Sequence, residues 1–432
     1  MYGLTAVLAL AAAVPTVLAH PLDVSHVEKR SLGARWYHPE DHPVHRLFAR
    51  QNSNNTYPAV GSPEWTKKYP PGKLTTAGIP TGWIDVLNQA VSAGKIPSNC
   101  PVSKQSGGGA PTYKNGTKNI DPAKEPICSS SSQCTGDGQI YDVPDGIVAI
   151  SFDDGPLPPA MKLQEFLRSK NQKVTHFYIG QNILENPTVF LDAFNVSGDD
   201  IAVHTWTHPY MTTLANEIVV AELGWTMQII HDSTGGRLPR FWRPPYGDSD
   251  NRVRAIAKEV FGLTTVIWND DTNDWAITEN PPTQTVAGAT KVLQKAYTGP
   301  KSPGLCILEH ELSTQSVGVF IDNYGLIAQN GWTPKTIADA VGQPWYLNAA
   351  DDTSAVTPLD VAQAVPSGAA GSPSSGNSTA SGTGGGSGSP TGTAGSSSPS
   401  GSSTSGALSF NSVRSTWLAS VAVIPMTLAA LF

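Results

Sequence analysis

Asp153 and Asp154 stand side by side in the run Ser151-Phe152-Asp153-Asp154-Gly155-Pro156. Neighbouring carboxylates repel unless a cation or an arginine offsets their charge, although Asp and Gly are also ordinary turn formers. Two imidazoles follow in His204-Thr205-Trp206-Thr207-His208. On a helix, positions i and i+4 share a face, so both rings can meet one metal ion. With Asp154 they make the donor set of a catalytic zinc, two histidines and a carboxylate with one position open for water. A His-Glu-x-x-His protease is excluded, because Thr205 stands where its glutamate base belongs. In the run Phe241-Trp242-Arg243-Pro244-Pro245-Tyr246-Gly247 the prolines stiffen the backbone, which aims Arg243 and holds the Tyr246 N–H outward. Asp270-Asp271-Thr272-Asn273-Asp274-Trp275 and Leu308-Glu309-His310 complete the set. An aspartate that orients a histidine is a common catalytic pairing.

Positioning these five segments needs a scaffold that ends its strands in one place. Residues 147–152 form a short apolar, β-branched run bounded by turn residues, which reads as a strand. Residues 174–179, 201–204, 264–268 and 305–308 read the same way. Between them, residues 161–170, 283–297 and 315–329 carry helical spacing. So does a helix capped by Thr213 with Ile218, Leu223, Met227 and Ile230 on one face, and another from Asn251 stopped by Gly262. Alternation of this kind predicts an α/β fold, a distorted (β/α) barrel over residues 146–350, with an open doubly wound sheet as the alternative. Both place functional groups beyond the carboxyl ends of the strands, where all five segments fall.

The chain has 432 residues with a net charge of −7, so it offers no basic footprint for nucleic acid. Charged residues are only 15%, which leaves part of the chain outside any core. Residues 1–19 read as a secretory signal and 20–145 as an irregular extension with a possible short pro-segment. Residues 351–407 read as a disordered, flexible Ser/Gly/Thr-rich stalk. Residues 408–432 read as a GPI-anchor signal removed on maturation, with Ser405 as the candidate attachment point; a transmembrane helix is the competing reading. Glycan acceptors occur at Asn54, Asn115, Asn195 and Asn377. The four cysteines, Cys100, Cys128, Cys134 and Cys306, are expected to form two disulfides of undetermined pairing. Trp332 and Trp345 are expected in the core.

The ordered set SFDDGP, HTWTH, RPPYG, DTNDW and LEH resembles the five motifs of the NodB-homology polysaccharide deacetylases, carbohydrate esterase family 4. The resemblance covers residues 145–345, and Ser151 stands where the family often has Thr. With the secretory and anchor signals, the chain is most similar to the fungal chitin deacetylases.

That resemblance implies Asp153 as general base and Asp154, His204 and His208 as ligands of a divalent ion, zinc or alternatively cobalt. It implies Arg243 as the partner of Asp153 and the Tyr246 N–H as part of an oxyanion hole. His310 is implied as general acid, oriented by Asp271 or Asp274, with Trp275 and Leu308 walling an acetyl pocket. The implied reaction is hydrolysis of N-acetyl groups on chitin or its oligomers. The alternatives are an O-acetyl esterase on xylan or another glycan, and an inactive glycan-binding wall protein. The expected product is a secreted monomer, anchored by lipid at the plasma membrane or cell wall.

Overall fold

In the computed structural model the described residues are 57–362, apart from 107, 108 and 137. An antiparallel hairpin, β1 (Tyr113–Asn115) and β2 (Lys118–Ile120), precedes the core. The first core strand runs as β3 (Ile147–Ala149) and β4 (Ser151–Gly155). From β4, parallel pairing passes to β5 (Thr175–Tyr178), β6 (Asp200–Val203), β7 (Phe241–Trp242) and β8 (Thr264–Thr265). The same stretch of chain continues into β9 (Asp270–Asp271), which pairs with β10 (Leu305–Leu308), and β10 returns to β3. A parallel bridge between Asp153 and His310 joins the end of β10 to β4, so the pairing runs round a ring. β11 (Thr333–Lys335) adds to the other edge of β3.

The barrel is therefore realised, and the open doubly wound order is not. Its distortion comes from the two-residue strands β7, β8 and β9 and from a register shift between Asp153 and Gly155 in β4. Helices Ala160–Ser169, Asn216–Ser233, Asn251–Phe261, Val286–Thr298 and Thr314–Asn323 surround it. Asp250 caps the third of these by accepting from the Val253 N–H (2.8 Å), and Gly262 ends it in a left-handed turn. Thr213 does not cap the second; it lies in a short 3-10 turn, and the helix begins after Ala215 with no side-chain cap. The helix expected over residues 315–329 is broken at Tyr324 into Thr314–Asn323 and Gly325–Gln329.

The extension before residue 145 is more than irregular chain. Helix Thr81–Ser92 packs Trp83 edge-on against Trp225 and Phe261, with ring centroids 5.3 and 6.0 Å away. Trp65 is fully buried and donates its indole N–H to Ser233 Oγ (3.0 Å). Gly224 permits this docking, since a Cβ there would stand 2.4 Å from the Trp83 ring. Losing one such buried indole costs about 3–5 kcal/mol. Residues 351–362, expected to open the stalk, also pack down: Val361 and Ala362 are buried, and Arg237 donates to the carbonyls of Asp351 and Ser354. Trp332 and Trp345 are buried as expected.

The two-disulfide expectation is corrected. Cys128 and Cys134 are bonded, whereas Cys100 and Cys306 are buried free thiols. They cannot meet, because Cys306 lies in the main core on β10 and Cys100 in a small satellite cluster with Tyr113 and Ile127. Asn115 is exposed, but Asn195 is buried in a π-helical turn whose Ser197 accepts from Arg168 (2.9 Å), so this acceptor is folded in. Asn54, Asn377, the signal and anchor segments and Ser405 lie outside the described residues. Among the described residues, no helix is long and apolar enough to cross a membrane.

Candidate active site

Asp153 is the last regularly paired residue of β4, and the register shift after it turns Asp154 out of the strand at φ +70°. Thr205, His208 and Tyr246 also take positive φ, so four of the nine such non-glycine residues among the described ones lie on one rim. A non-glycine residue held this way costs roughly 1–3 kcal/mol, and such strain gathers where geometry serves function.

His204 leaves the end of β6. Its Nδ1 donates to the backbone carbonyl of Arg243 (2.7 Å), which leaves Nε2 as the lone-pair nitrogen facing inward. The segment from His204 to His208 is a loop rather than the helical turn expected from the i, i+4 spacing. Glu222 shapes it by accepting from the N–H groups of Trp206 and Thr207 (2.8 Å each) and from Thr207 Oγ1 (2.6 Å). The loop nonetheless brings the two rings to a centroid distance of 5.0 Å. His204 Nε2 and His208 Nε2 stand 3.2 and 3.1 Å from Asp154 Oδ1.

That oxygen is buried and has no hydrogen-bond partner. A buried carboxylate oxygen left unbonded between two imidazole nitrogens is unfavourable unless something positive completes it. The three ligand atoms lie within 4.8 Å of one another, the span of a shared cation. These residues therefore fit a divalent metal. Burial works against ionisation of Asp154, yet His204, His208 and the charge of His310 hold its carboxyl well below the usual range.

Arg243 is fully buried beside this set. It donates from Nη1 to Asp153 Oδ1 (2.7 Å) and from Nη2 to Ser151 Oγ (3.0 Å), and it lies 4.2 Å over the Phe177 ring. Breaking such a pair on one side strands a buried charge, so Arg243 fixes the orientation of the Asp153 carboxylate. His310 is held from two directions by one carboxylate. Its Nδ1 meets Asp274 Oδ1 at 2.6 Å, and its backbone N–H donates to Asp274 Oδ2 at 2.9 Å. Asp271 instead accepts from the Asn273 N–H (2.7 Å), which decides between the two aspartates. Burial lowers the His310 pKa, but Asp274, Asp154 and Asp153 override it and push it up to about 10. His310 Nε2 lies 4.0 Å from Asp154 Oδ2, and His204 Nε2 lies 3.8 Å from Asp153 Oδ2.

Leu308 is buried at the end of β10, while Trp275 and Tyr246 expose 39% and 53% of their surface, open enough to meet a substrate. Tyr246 stacks on Tyr210 at 4.1 Å and turns an edge to His208 at 4.6 Å. Tyr210 and Glu222 build the site from outside the five motifs, and Ser151, inside the first, serves as an acceptor for Arg243. Glu222 leaves a sequence signal, a carboxylate inside an otherwise apolar helix face.

Residues 141–266 match a family described as polysaccharide deacetylase. The chain is 43% identical over 333 residues to chitin deacetylase 3 of Cryptococcus neoformans var. neoformans, covering 76% of this chain and 78% of that one. It is 32% identical over 239 residues to chitin deacetylase 2 of Saccharomyces cerevisiae, covering 55% and 72%. A solved structure of the chitin deacetylase from Colletotrichum lindemuthianum aligns at 20% identity with a TM-score of 0.44, covering 48% of this chain and 94% of that one.

Proposed function

This chain belongs to the polysaccharide deacetylases, and from that premise we propose that it hydrolyses the N-acetyl groups of N-acetylglucosamine residues in chitin, releasing acetate and leaving chitosan. The observation that carries the reading is Asp154 Oδ1, buried between two imidazoles without a hydrogen-bond partner, with Asp153 and His310 beside it. The relatives named for chitin support the choice of polymer.

Asp154, His204 and His208 would hold the ion, zinc or alternatively cobalt, since N and O donors of this kind suit both. When bound, a divalent cation there supplies a Lewis acid and lowers the pKa of water to roughly 7. Asp153 takes a proton from the water whose oxygen attacks the acetamide carbonyl carbon. The Tyr246 backbone N–H donates to the oxyanion that forms, a contribution of about 3–4 kcal/mol for one well-placed donor. His310 Nε2 then gives its proton to the nitrogen as the C–N bond breaks. Acetate and a free amine leave.

An amine leaves badly unless protonated, and here the acid is pinned by both oxygens of Asp274. That pinning favours the amide over the ester. Positive charge held by Asp154, His204 and His208 would oppose the upward pull on His310 and bring its pKa closer to the pH at which it must give up a proton. Leu308 and Trp275 would border the acetyl methyl. We further propose a secreted monomer held at the cell surface by a lipid anchor, a reading that rests on the terminal sequences alone.

The test is acetate release from N-acetylglucosamine oligomers and from acetylxylan, with and without a chelator. Chelator-sensitive release from the oligomers is the expected result. Release from acetylxylan alone would make the enzyme an O-acetyl esterase, and release indifferent to chelator would remove the metal from the reading.

A further inference from the structure

A cavity of about 330 Å³ is lined in part by Tyr246, whose ring also meets His208 at 4.6 Å. Its barrel wall is Tyr246 with its stacked neighbour Tyr210, and Trp268. Its other wall is the N-terminal extension, chiefly Ser131, Gln133 and Tyr141. Most of that second wall lies upstream of residues 141–266, so the family match does not account for it.

The lining combines aromatic rings with hydroxyl and amide groups and contains no charged side chain. Rings that present flat apolar faces beside a few polar groups suit a neutral, hydroxyl-rich ring. A nucleotide, an acidic peptide or a charged glycan would find no counter-charge there.

The wall is also built to stay in place. The Cys128–Cys134 disulfide closes the loop that carries Ser131 and Gln133. The Ser130 N–H donates to the Ser249 carbonyl (2.9 Å), Ser131 Oγ to the Gly247 carbonyl (3.4 Å), and the buried Arg254 Nη2 to the Cys128 carbonyl (2.8 Å). Gly247, at φ +64°, completes the fit, because a Cβ there would come within 2.9 Å of the Trp268 ring.

We propose that this cavity is a subsite for a neighbouring neutral sugar residue of the polysaccharide chain, so that the extension makes the enzyme select longer substrates. The inference rests on the proposed deacetylation and adds to it where the polymer lies. Tyr246 links the two, with an edge at His208 and its ring in the wall of the cavity.

The experiment compares the wild type with Ser131→Trp, which fills the cavity, and Tyr141→Ala, which strips one ring from it. For each, kcat/KM is measured on the dimer and the hexamer of N-acetylglucosamine, hexamer binding is followed by tryptophan fluorescence, and the melting temperature checks folding. The expected result is a hexamer-to-dimer ratio of kcat/KM lowered roughly 3–10-fold in both variants, with weaker hexamer binding. An unchanged ratio and unchanged hexamer binding in both folded variants would overturn the subsite. If no protein releases acetate yet the wild type binds the hexamer and the variants lose that binding, the subsite stands and the deacetylation reading falls.

Discussion

Asp154 with His204 and His208, and Glu311 with His176 and Asp199, are built from the same side-chain types around the same parallel strands. In the second cluster both ring nitrogens of His176 face carboxylates, Nδ1 at 2.9 Å from Glu311 Oε2 and Nε2 at 3.4 Å from Asp199 Oδ2, with all three side chains fully buried. Burial alone would lower the His176 pKa, but Glu311 and Asp199 raise it to about 10, so the ring is a proton-carrying cation there. Burial also pushes the Glu311 carboxyl up; the direction that governs the cluster is that of His176, which two carboxylates flank. Glu311 Oε1 lacks a hydrogen bond, yet it is pressed against Gly155, where a Cβ would stand only 1.5 Å away, so no ligand can enter. In the first cluster His204 spends its Nδ1 proton on a neutral carbonyl, and its other nitrogen turns to an oxygen that nothing else satisfies. Among the described residues, that cluster is the group of three such ligands drawn within 4.8 Å. The partner of the far nitrogen, rather than residue type, separates an ion pair closed by a proton from a donor set left open to a cation.

Changes to the two clusters therefore break different things. Asp154→Ala should reduce acetate release to background and abolish zinc binding, measured by metal analysis, while the protein still folds. His310→Ala should lower kcat on the oligomers by about 10²–10⁴-fold, the usual worth of a placed proton donor, and leave zinc content intact. Asp274→Asn should act in the same direction and less strongly, because the donor remains but its orienting charge is gone. His176→Leu should instead cost stability, about 3–5 kcal/mol for half of a buried ion pair, seen as a lower denaturant midpoint.

The same cluster makes stability depend on pH. The folded pKa of His176, about 10, stands above its ordinary 6.5. Its contribution is therefore complete below pH 6.5 and is lost as pH rises through about 10. The denaturant midpoint of the wild type should fall across that window more than that of His176→Leu. The smallest effect is expected from Tyr246→Phe, with kcat changed by no more than about twofold, because the proposed donor is the backbone N–H.

Much of the first cluster was legible in the chain, and almost none of the second. Asp153, Asp154, His204, Arg243 and His310 lie just after short apolar runs, a local signal for the mouth of a barrel. His208 was found by a helical spacing that the structure does not use; the loop reaches the same end through positive φ at Thr205 and His208 and the brace from Glu222. The choice between Asp271 and Asp274 depended on a left-handed turn at Asn273, which three polar neighbours in sequence do not disclose. His176 and Glu311 lie 135 residues apart, and only the ring closure brings them together. How firmly the extension docks was hidden for a related reason. Isolated aromatics such as Trp65 and Trp83 in a Pro/Gly-rich stretch show little periodicity, yet each anchors in the main core.

The most direct measurement is acetate release from N-acetylglucosamine oligomers by metal-stripped protein titrated with zinc. The account predicts a silent apoprotein whose activity rises linearly and levels off at one zinc per chain. Full activity in the stripped protein, or a titration that Asp154→Ala follows equally well, would contradict it.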